Sequence, residues 1–371
     1  MDTLIKDKTT ETAPFEFGFY TFGNIVPDSV TGARTSHHQR IQEIIKIGKL
    51  ADDAGFDVFG IGEHHTADFV VSAPIVLLSA IAQATTQIKL STAVAQLSTQ
   101  DPVRLFEEYA TLDLISNGRA EMLVGRSSSA EGFPLFGFNL KDYDALFSEK
   151  LNLLSILNHN ETVNWKGKFR TPLVNAEISP RPLQPLPMWI GVGGTPESAV
   201  RAGAFGANLN LAILGGAPER FMPLIDLYKE AAVKAGHDLD TLKIAVSSHS
   251  YVAENSKQAR DECYPSYAHS MKYLLRKLRG QSYNISRPDF DYMTAPETAL
   301  TVGSPQEMID KIMHQYELFK HHRYILQMDM NGLPFKNLAK SVELVSTKVM
   351  PVIKKEIGKL KKTAHGKALV E

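Results

Sequence analysis

Short apolar runs alternate with longer amphipathic stretches along most of this chain. Residues 15–20 form an apolar run that is typical of a strand. Residues 37–54 place Ile41, Ile44 and Ile45 on one face at helical spacing, and Gly55 follows as a stop signal. The same pattern predicts eight strands in all, at residues 15–20, 56–62, 88–95, 119–124, 188–192, 207–214, 242–253 and 324–330.

Helices are predicted between these strands, and this order decides the fold class. They cover residues 37–54, 73–84, 101–115, 143–157, 218–235 and 255–280, a stretch that begins at Pro196, and a last stretch that begins with the capping box Ser304-Pro305-Gln306-Glu307. Eight strands that alternate with helices predict an α/β fold, a (β/α)8 TIM barrel. A doubly wound open sheet is the alternative.

Some stretches fall outside this alternation. Residues 158–187 contain five prolines and predict an insertion, after the fourth βα unit, that crosses the surface. Residues 281–298 are expected to form an irregular loop. We therefore expect one barrel domain over residues 15–355, a flexible segment at residues 1–14 and a basic tail at residues 356–371.

Composition excludes several classes of function. The 371 residues carry 40 Lys and Arg against 41 Asp and Glu, so no overall positive field indicates nucleic acid binding. No apolar run is long enough to cross a membrane, and residues 1–14 lack the apolar centre of a signal peptide. The one cysteine, Cys263, is typical of a reducing compartment. We therefore expect a cytoplasmic enzyme with neither a nucleic acid nor a membrane partner.

A glycine-rich turn is the strongest local signal for a ligand. The predicted strand Met188–Val192 leads into Gly193 and Gly194, and Thr195 then precedes Pro196, the first residue of a predicted helix. Glycines let a ligand approach the backbone closely, and a helix start offers N–H groups and a positive dipole end, which suits a phosphate. An ordinary strand-to-helix turn is the alternative. The dinucleotide fingerprint is excluded, because Pro196 stands where its third glycine belongs.

Two other predicted strand ends carry groups suited to catalysis or anion binding. Strand two ends in Glu63, His64 and His65, and one of these histidines is a candidate for proton transfer near neutral pH. No metal site is expected, because adjacent strand residues point in opposite directions and no third ligand follows at a telling spacing. Strand four leads to Arg126, which together with serines 127–129 suits a phosphate or a carboxylate.

Further residues are expected at the same rim, because barrel enzymes collect their chemistry at the carboxyl ends of the strands. His249 on strand seven, and Gln327 and Asp329 on strand eight, would face the barrel mouth. Residues 91–96 at the end of strand three are small enough for a flat ring to lie against the backbone. A layer of small residues inside the barrel explains them equally well.

An ordered series of short motifs runs from about residue 15 to about residue 355. The motifs are Gly62-Glu63-His64-His65, Thr92-Ala93-Val94, Asp101-Pro102-Val103-Arg104, Thr111-Leu112-Asp113-Leu114-Ile115-Ser116-Asn117-Gly118-Arg119, Gly125-Arg126-Ser127, Gly191-Val192-Gly193-Gly194-Thr195-Pro196-Glu197-Ser198 and Val302-Gly303-Ser304-Pro305 with Glu307. This series resembles the bacterial luciferase-like family of flavin-dependent monooxygenases. The order of the motifs is far more specific than any one of them.

The resemblance implies that FMN binds at the barrel mouth. It implies a phosphate site built from Arg126, Gly193, Gly194, Thr195 and Ser198, with Ser128 as a backbone donor. The Ala93–Val94 peptide would be a non-prolyl cis bond beneath the flavin ring. His64 would face the flavin and assist catalysis, and its neighbour Glu63 is grouped with it as a candidate catalytic residue.

The function implied by the resemblance is an FMN-dependent monooxygenase. Reduced FMN and O2 would act through a flavin C4a-peroxide to oxidise a small organic substrate. A separate flavin reductase is expected, because the chain has no second nucleotide fingerprint for NAD(P)H, and the family implies a homodimer. Two alternatives stay open: hydride transfer with the deazaflavin F420, and a flavin-binding homologue without catalysis.

The chain departs from the family pattern at a few positions. Ser127 follows Arg126 where close relatives tend to have glycine. Asn208 and Asn210 place polar side chains on strand six, where apolar ones are expected. The sequence His321-His322-Arg323 replaces the glycine that usually precedes the last strand.

Overall fold

Eight parallel strands pair side by side and close into a barrel. The computed structural model describes residues 13–27, 31–126, 130–279, 283–329 and 332–368. The barrel strands are β1 (Glu16–Thr21), β2 (Val58–Ile61), β3 (Lys89–Thr92), β4 (Ala120–Gly125), β5 (Met188–Val192), β6 (Asn208–Ala212), β7 (Ile244–Val252) and β8 (Arg323–Gln327). β8 pairs with both β1 and β7, which completes the ring. The expected (β/α)8 barrel is confirmed, and the open-sheet alternative is wrong.

Helices connect the strands in the expected order. The longer helices are α1 (His37–Asp53), α2 (Pro74–Ala84), α3 (Pro102–Ser116), α4 (Tyr143–His159), α5 (Pro196–Ala204), α6 (Met222–Lys234), α7 (Ser256–Arg279), α8 (Pro305–Phe319), α9 (Phe335–Leu344) and α10 (Met350–Ala368). Short helical turns occur at Gly132–Leu135, Leu140–Asp142, Pro218–Phe221, Leu239–Thr241, Arg287–Met293 and Val345–Val349.

Several helices begin and end at the capping residues that the sequence indicates. The Asp101 side chain accepts hydrogen bonds from the first turn of α3, and that helix ends at Asn117 in the left-handed conformation, with φ 56°. The Ser304 hydroxyl accepts a bond of 3.2 Å from the backbone N–H of Glu307 at the start of α8. Capping chemistry therefore sets these boundaries.

The structure differs from the sequence prediction in four connections. The third predicted strand is divided into β3 and a two-residue strand, Ala95–Gln96. The insertion at residues 158–187 contains an antiparallel hairpin, Thr162–Trp165 with Leu173–Glu177. The expected loop at residues 281–298 contains the helix Arg287–Met293, which the sequence signalled through a capping box of Ser286 and Asp289. A short strand, Thr301–Gly303, pairs with the end of β7.

The described part of the C-terminal tail continues the fold. Helix α10 passes through the expected boundary at residue 355 without a break, and Ile353 and Ile357 are both fully buried in the core. Six of the other positions in this helix are lysines. Residues 1–12 and 369–371, parts of the expected terminal segments, lie outside the described residues.

A buried ion cluster fills the amino-terminal end of the barrel. Arg323 binds both carboxylate oxygens of Glu121, at 2.7 and 3.0 Å, and its Nε donates to Glu16 at 2.7 Å. Its guanidinium also stacks 4.4 Å from the Trp189 ring. Burial alone would raise the pKa of Glu16, but Arg323 and Lys89 outweigh it and lower the pKa to about 2. Arg323 at the start of the last strand is therefore a structural residue.

A layer of apolar side chains fills the middle of the barrel above this cluster. Its buried members are Tyr20, Val58, Ala93, Leu123, Trp189, Ala245 and Ile325. The larger hydrophobic core lies outside the barrel, between the strands and the helices. Because the base and the middle are filled, a ligand can enter only at the carboxyl ends of the strands.

His321 gives the fold a predictable sensitivity to acid. The imidazole is fully buried and packs against the rings of Phe15, Tyr316 and Tyr324, at 5.3 to 5.7 Å between centroids. Burial lowers its pKa from 6.5 to about 3. The unfolded chain therefore takes up a proton below pH 6.5 that the folded chain excludes, so stability falls as the pH drops from 6.5 towards 3.

We expect His321→Phe to remove this part of the acid sensitivity. Between pH 7 and pH 5 the parent should lose about 2 kcal/mol more unfolding free energy than the variant, the value for about 1.5 pH units of linkage. Urea unfolding at several pH values measures the difference. His249 and His322, whose pKa values burial also lowers, are present in both proteins and cancel. Parallel stability curves for the two proteins would contradict the prediction.

Candidate functional site

His64 lies at the barrel mouth beside two aromatic rings. Gly62 stands two residues before His64. A side chain at Gly62 would collide with the ring of Phe22, so glycine is required at this turn. The imidazole stacks on Phe69 with 3.9 Å between centroids, and its edge meets Phe22 at 5.7 Å. Its Nδ1 is 3.7 Å from a carboxylate oxygen of Glu131. His64 is 8% exposed, so these contacts hold the ring while part of it still reaches the mouth.

Glu63 and His65 form a separate buried network. One Glu63 carboxylate oxygen is 2.7 Å from His65 Nε2. The other accepts hydrogen bonds from the backbone N–H of Gln96, at 2.8 Å, and from Gln100 Nε2, at 2.5 Å. Glu63 is 3% exposed. The two neighbouring histidines therefore have different surroundings.

The Ala93–Val94 peptide has the cis conformation that the resemblance implied. It lies in the gap between β3 and the short strand Ala95–Gln96. Gly125 and Gly191 make room for the Val94 side chain: a Cβ at either glycine would stand 2.7 Å from a Val94 methyl group. Gly125 is the last residue of β4, and Gly191 is the last but one of β5. Val94 therefore packs beside the carboxyl ends of both strands.

Arg126 connects the ends of β4 and β5. Its Nη2 donates to the hydroxyl oxygens of Thr195, at 2.8 Å, and Ser198, at 2.6 Å. The two hydroxyls are also 2.8 Å from each other. The guanidinium lies 4.9 Å from the ring centroid of Tyr143. Three residues that the sequence analysis assigned to one anion site are therefore in direct contact. Ser127, Ser128 and Ser129 lie outside the described residues.

The glycine-rich turn before α5 leaves space for a ligand. A Cβ added at Gly193 or Gly194 would meet nothing within 4 Å, and Gly194 has a φ of 129°, which side chains rarely adopt. Both glycines line a cleft of about 470 Å³. Thr195 stands at the N-cap position, but its hydroxyl makes no cap bond to the helix. The first-turn N–H groups of α5 therefore do not donate to this hydroxyl, which suits an anionic ligand.

Asp144, which the sequence analysis did not single out, belongs to the same cluster. Its carboxylate is 2.6 Å from Arg126 Nη1 and 3.1 Å from Arg201 Nη2. Burial raises the pKa of Asp144, but the two arginines outweigh it and hold the pKa below its usual value. An anion bound here must therefore share Arg126 with a resident negative charge. No sequence motif marks Asp144, since its role depends on how α4 packs beside β4.

A polar wall on β6, β7 and β8 faces the interior. The register pairs Asn210 with Ala245, Ser247 with Ile325 and His249 with Gln327. Since Ala245 and Ile325 belong to the interior layer, their partners and the residues two positions further along also point inwards.

His249 and Asp329 have different surroundings. His249 Nδ1 is 3.2 Å from the hydroxyl oxygen of Tyr267, and burial lowers the His249 pKa to about 4, so the ring is neutral near pH 7. The expectation that Asp329 faces the mouth is wrong. Its carboxylate accepts hydrogen bonds from Arg40 and Thr21 on the helix side of the barrel wall. The strand ends at Gln327, and the chain beyond it no longer follows strand alternation.

The described residues contain neither a group of metal ligands nor a membrane-spanning helix. Among the described residues, no three His, Cys, Asp or Glu side chains are grouped closely enough to bind a metal ion. Within the same residues, no helix has the length and apolar character required to cross a bilayer.

Comparison with solved structures shows the same fold. A monooxygenase of Streptomyces bottropensis, RslO1, has a TM-score of 0.78 and 26% identity, with 91% of this chain and 99% of that one covered. The oxygenating constituent of 3,6-diketocamphane monooxygenase from Pseudomonas putida, solved in complex with FMN, has a TM-score of 0.74 and 20% identity over 91% and 99%. Coenzyme F420-dependent tetrahydromethanopterin reductase from Methanopyrus kandleri has a TM-score of 0.69 and 20% identity over 92% and 100%.

Sequence comparison identifies the family. The alpha chain of alkanal monooxygenase from the Kryptophanaron alfredi symbiont is 26% identical over 344 residues, which cover 85% of this chain and 94% of that relative. The sequence pattern of the family described as luciferase-like monooxygenase matches residues 15–322. Because this match spans most of the chain, the chain belongs to the luciferase-like monooxygenase family of oxidoreductases.

Proposed function

We propose that this protein is an FMN-dependent monooxygenase that uses reduced FMN and O2 to oxidise a small organic substrate. The observation that carries the proposal is the contact of Arg126 with Thr195 and Ser198, at 2.8 and 2.6 Å, beside the open turn at Gly193 and Gly194. This cluster combines a cation, two hydroxyls and a helix start, which together suit a phosphate monoester.

The residues around the cluster fit the rest of the cofactor. The Ala93–Val94 peptide is the proposed floor beneath the flavin ring, because Gly125 and Gly191 let the Val94 side chain pack down against the ends of β4 and β5. The aromatic side of the mouth, formed by Phe22, His64 and Phe69, would help to exclude water from the bound ring. Ser128 remains a proposed backbone donor to the phosphate.

His64 is the proposed proton-handling residue. Bound reduced FMN would supply the electrons that activate O2. His64 would hold or deliver a proton at the ring nitrogen that is directed to the mouth, with Nδ1 oriented towards Glu131. Glu63 is proposed as a positioning residue, because its carboxylate ties the β2 end to Gln96 and Gln100.

Other parts of the proposal rest on the family. Reduced flavin would come from a separate flavin reductase, and the active form would be a homodimer. The F420-dependent relative keeps hydride transfer with a deazaflavin as the second candidate, since the same phosphate anchor would serve both cofactors. A non-catalytic flavin-binding protein is the remaining alternative. Titration with FMN and with F420, followed by mixing of the reduced complexes with oxygen, separates the three.

Arg126→Ala should weaken FMN binding about 10- to 150-fold, the effect of losing a charge-assisted hydrogen bond worth about 1.5–3 kcal/mol. Riboflavin lacks the phosphate and should bind the parent much more weakly than FMN does. It should also be insensitive to the substitution. Calorimetric titration of both proteins with both ligands measures the four affinities. Equal dissociation constants of FMN and riboflavin for the parent would contradict the phosphate site.

His64→Ala should leave the dissociation constant of FMN nearly unchanged and slow turnover about 100-fold, the scale of a lost general acid or base. Turnover is measured as substrate-dependent oxygen consumption with reduced FMN, and the trial substrates are alkanals and cyclic ketones.

The matched control for His64→Ala is His65→Ala, which removes the neighbouring imidazole. That control loses the 2.7 Å contact with Glu63, so it should lower the unfolding temperature and retain turnover. Normal turnover in His64→Ala, or the same loss of turnover in both variants, would remove the proposed role.

A further inference from the structure

Asn208 and Asn210 lie on β6, where apolar residues are expected. Their side-chain oxygens differ in hydrogen bonding. The side-chain oxygen of Asn208 accepts a hydrogen bond of 2.8 Å from the backbone N–H of Lys243. This bond ties β6 to β7 near the base of the barrel and explains Asn208 as a structural residue. Asn210 is 6% exposed, and its Oδ1 is buried without a hydrogen-bond partner.

Asn210 points into the barrel from the middle of β6. The register places it opposite Ala245 on one side and Gly191 on the other. Ala245 belongs to the interior layer, so the Asn210 side chain shares that interior. A Cβ at Gly191 would stand 2.7 Å from a Val94 methyl group, so Val94, Gly191 and Asn210 are consecutive neighbours across the floor of the site.

A buried amide oxygen without a partner requires an explanation, because nearly all such groups in folded proteins are hydrogen-bonded. An apolar residue would fill this position without the desolvation cost. Asn208 shows that a polar residue on this strand can find a backbone partner when its role is structural. The missing partner of Asn210 is therefore expected to come from a ligand.

The chemistry of the carboxamide defines the class of ligand. A carboxamide presents one acceptor and one donor side by side, and its complement is an N–H group next to a carbonyl group. The pyrimidinedione edge of a flavin has this arrangement at N3–H and its two flanking carbonyls, and a deazaflavin shares it.

We propose that Asn210 forms two hydrogen bonds with the pyrimidinedione edge of the cofactor. Its amide oxygen accepts from N3–H, and its amide nitrogen donates to an adjacent carbonyl. The proposal rests on the proposed flavin function. It adds a second recognition point, on the ring, to the phosphate anchor at Arg126.

The test uses FMN and 3-methyl-FMN, which differ only at N3. The parent should bind 3-methyl-FMN about 10-fold more weakly than FMN, the effect of one lost buried hydrogen bond. Asn210→Ala should bind FMN about 10-fold more weakly than the parent and discriminate between the two ligands less than about 3-fold. Asn210→Ser, whose shorter side chain cannot span the same distance, should behave in the same way and serves if the alanine variant does not fold.

Asn208→Ala is the matched control on the same strand. It should lower the unfolding temperature, because it removes the bond to Lys243, and keep the full discrimination against 3-methyl-FMN. Equal affinity of the parent for both flavins, or undiminished discrimination in the Asn210 variants, would overturn the role of Asn210 and leave the phosphate site intact. Absence of saturable binding of FMN and of F420 by the parent would overturn the flavin function, and the role of Asn210 with it.

Discussion

The closure of eight parallel strands is the constraint on which the rest of this molecule depends. A closed barrel has an interior that must be filled, and the strands all deliver their carboxyl ends to one rim. Here the base is filled by ionised groups: Arg323 binds Glu121 and Glu16 and stacks on Trp189. A charge at this depth is tolerated because it is paired and hydrogen-bonded. Since the apolar layer above it is equally filled, polar groups near the rim remain free to serve a ligand.

The site depends on four glycines as much as on the residues that have side chains. Gly125 and Gly191 accept the Val94 methyl groups, while Gly193 and Gly194 leave the start of α5 uncovered. Larger residues at these four positions would fill the floor or the anion site. The polar wall and the aromatic side then face each other across a space that backbone geometry keeps open.

Local patterns were sufficient to predict the barrel and much of the candidate site. Alternation predicted the eight strands, and local patterns marked the turn at Gly193 and Gly194, and separately Arg126, as suited to an anion. The family resemblance joined Arg126 with Thr195 and Ser198 in one site, and these three side chains are in contact. Asp144 could not be predicted, because its contact with Arg126 depends on how a helix packs beside a strand. Asp329 was placed wrongly, because strand alternation stops at Gln327 and the carboxylate instead meets Arg40. The Ser286 capping box was present in the sequence and was missed.

Asp144 also bears on how tightly a phosphate can be held. Its carboxylate occupies Arg126 and Arg201 at once, so a phosphate dianion gains the attraction of the arginine and meets the repulsion of the resident charge. Both charges lie close to solvent, where screening keeps each contribution modest. With attraction and repulsion balanced in this way, the site can bind a phosphate and still allow it to dissociate. On the proposed function, such a balance suits a flavin that is reduced by another protein and must enter and leave this barrel in each cycle.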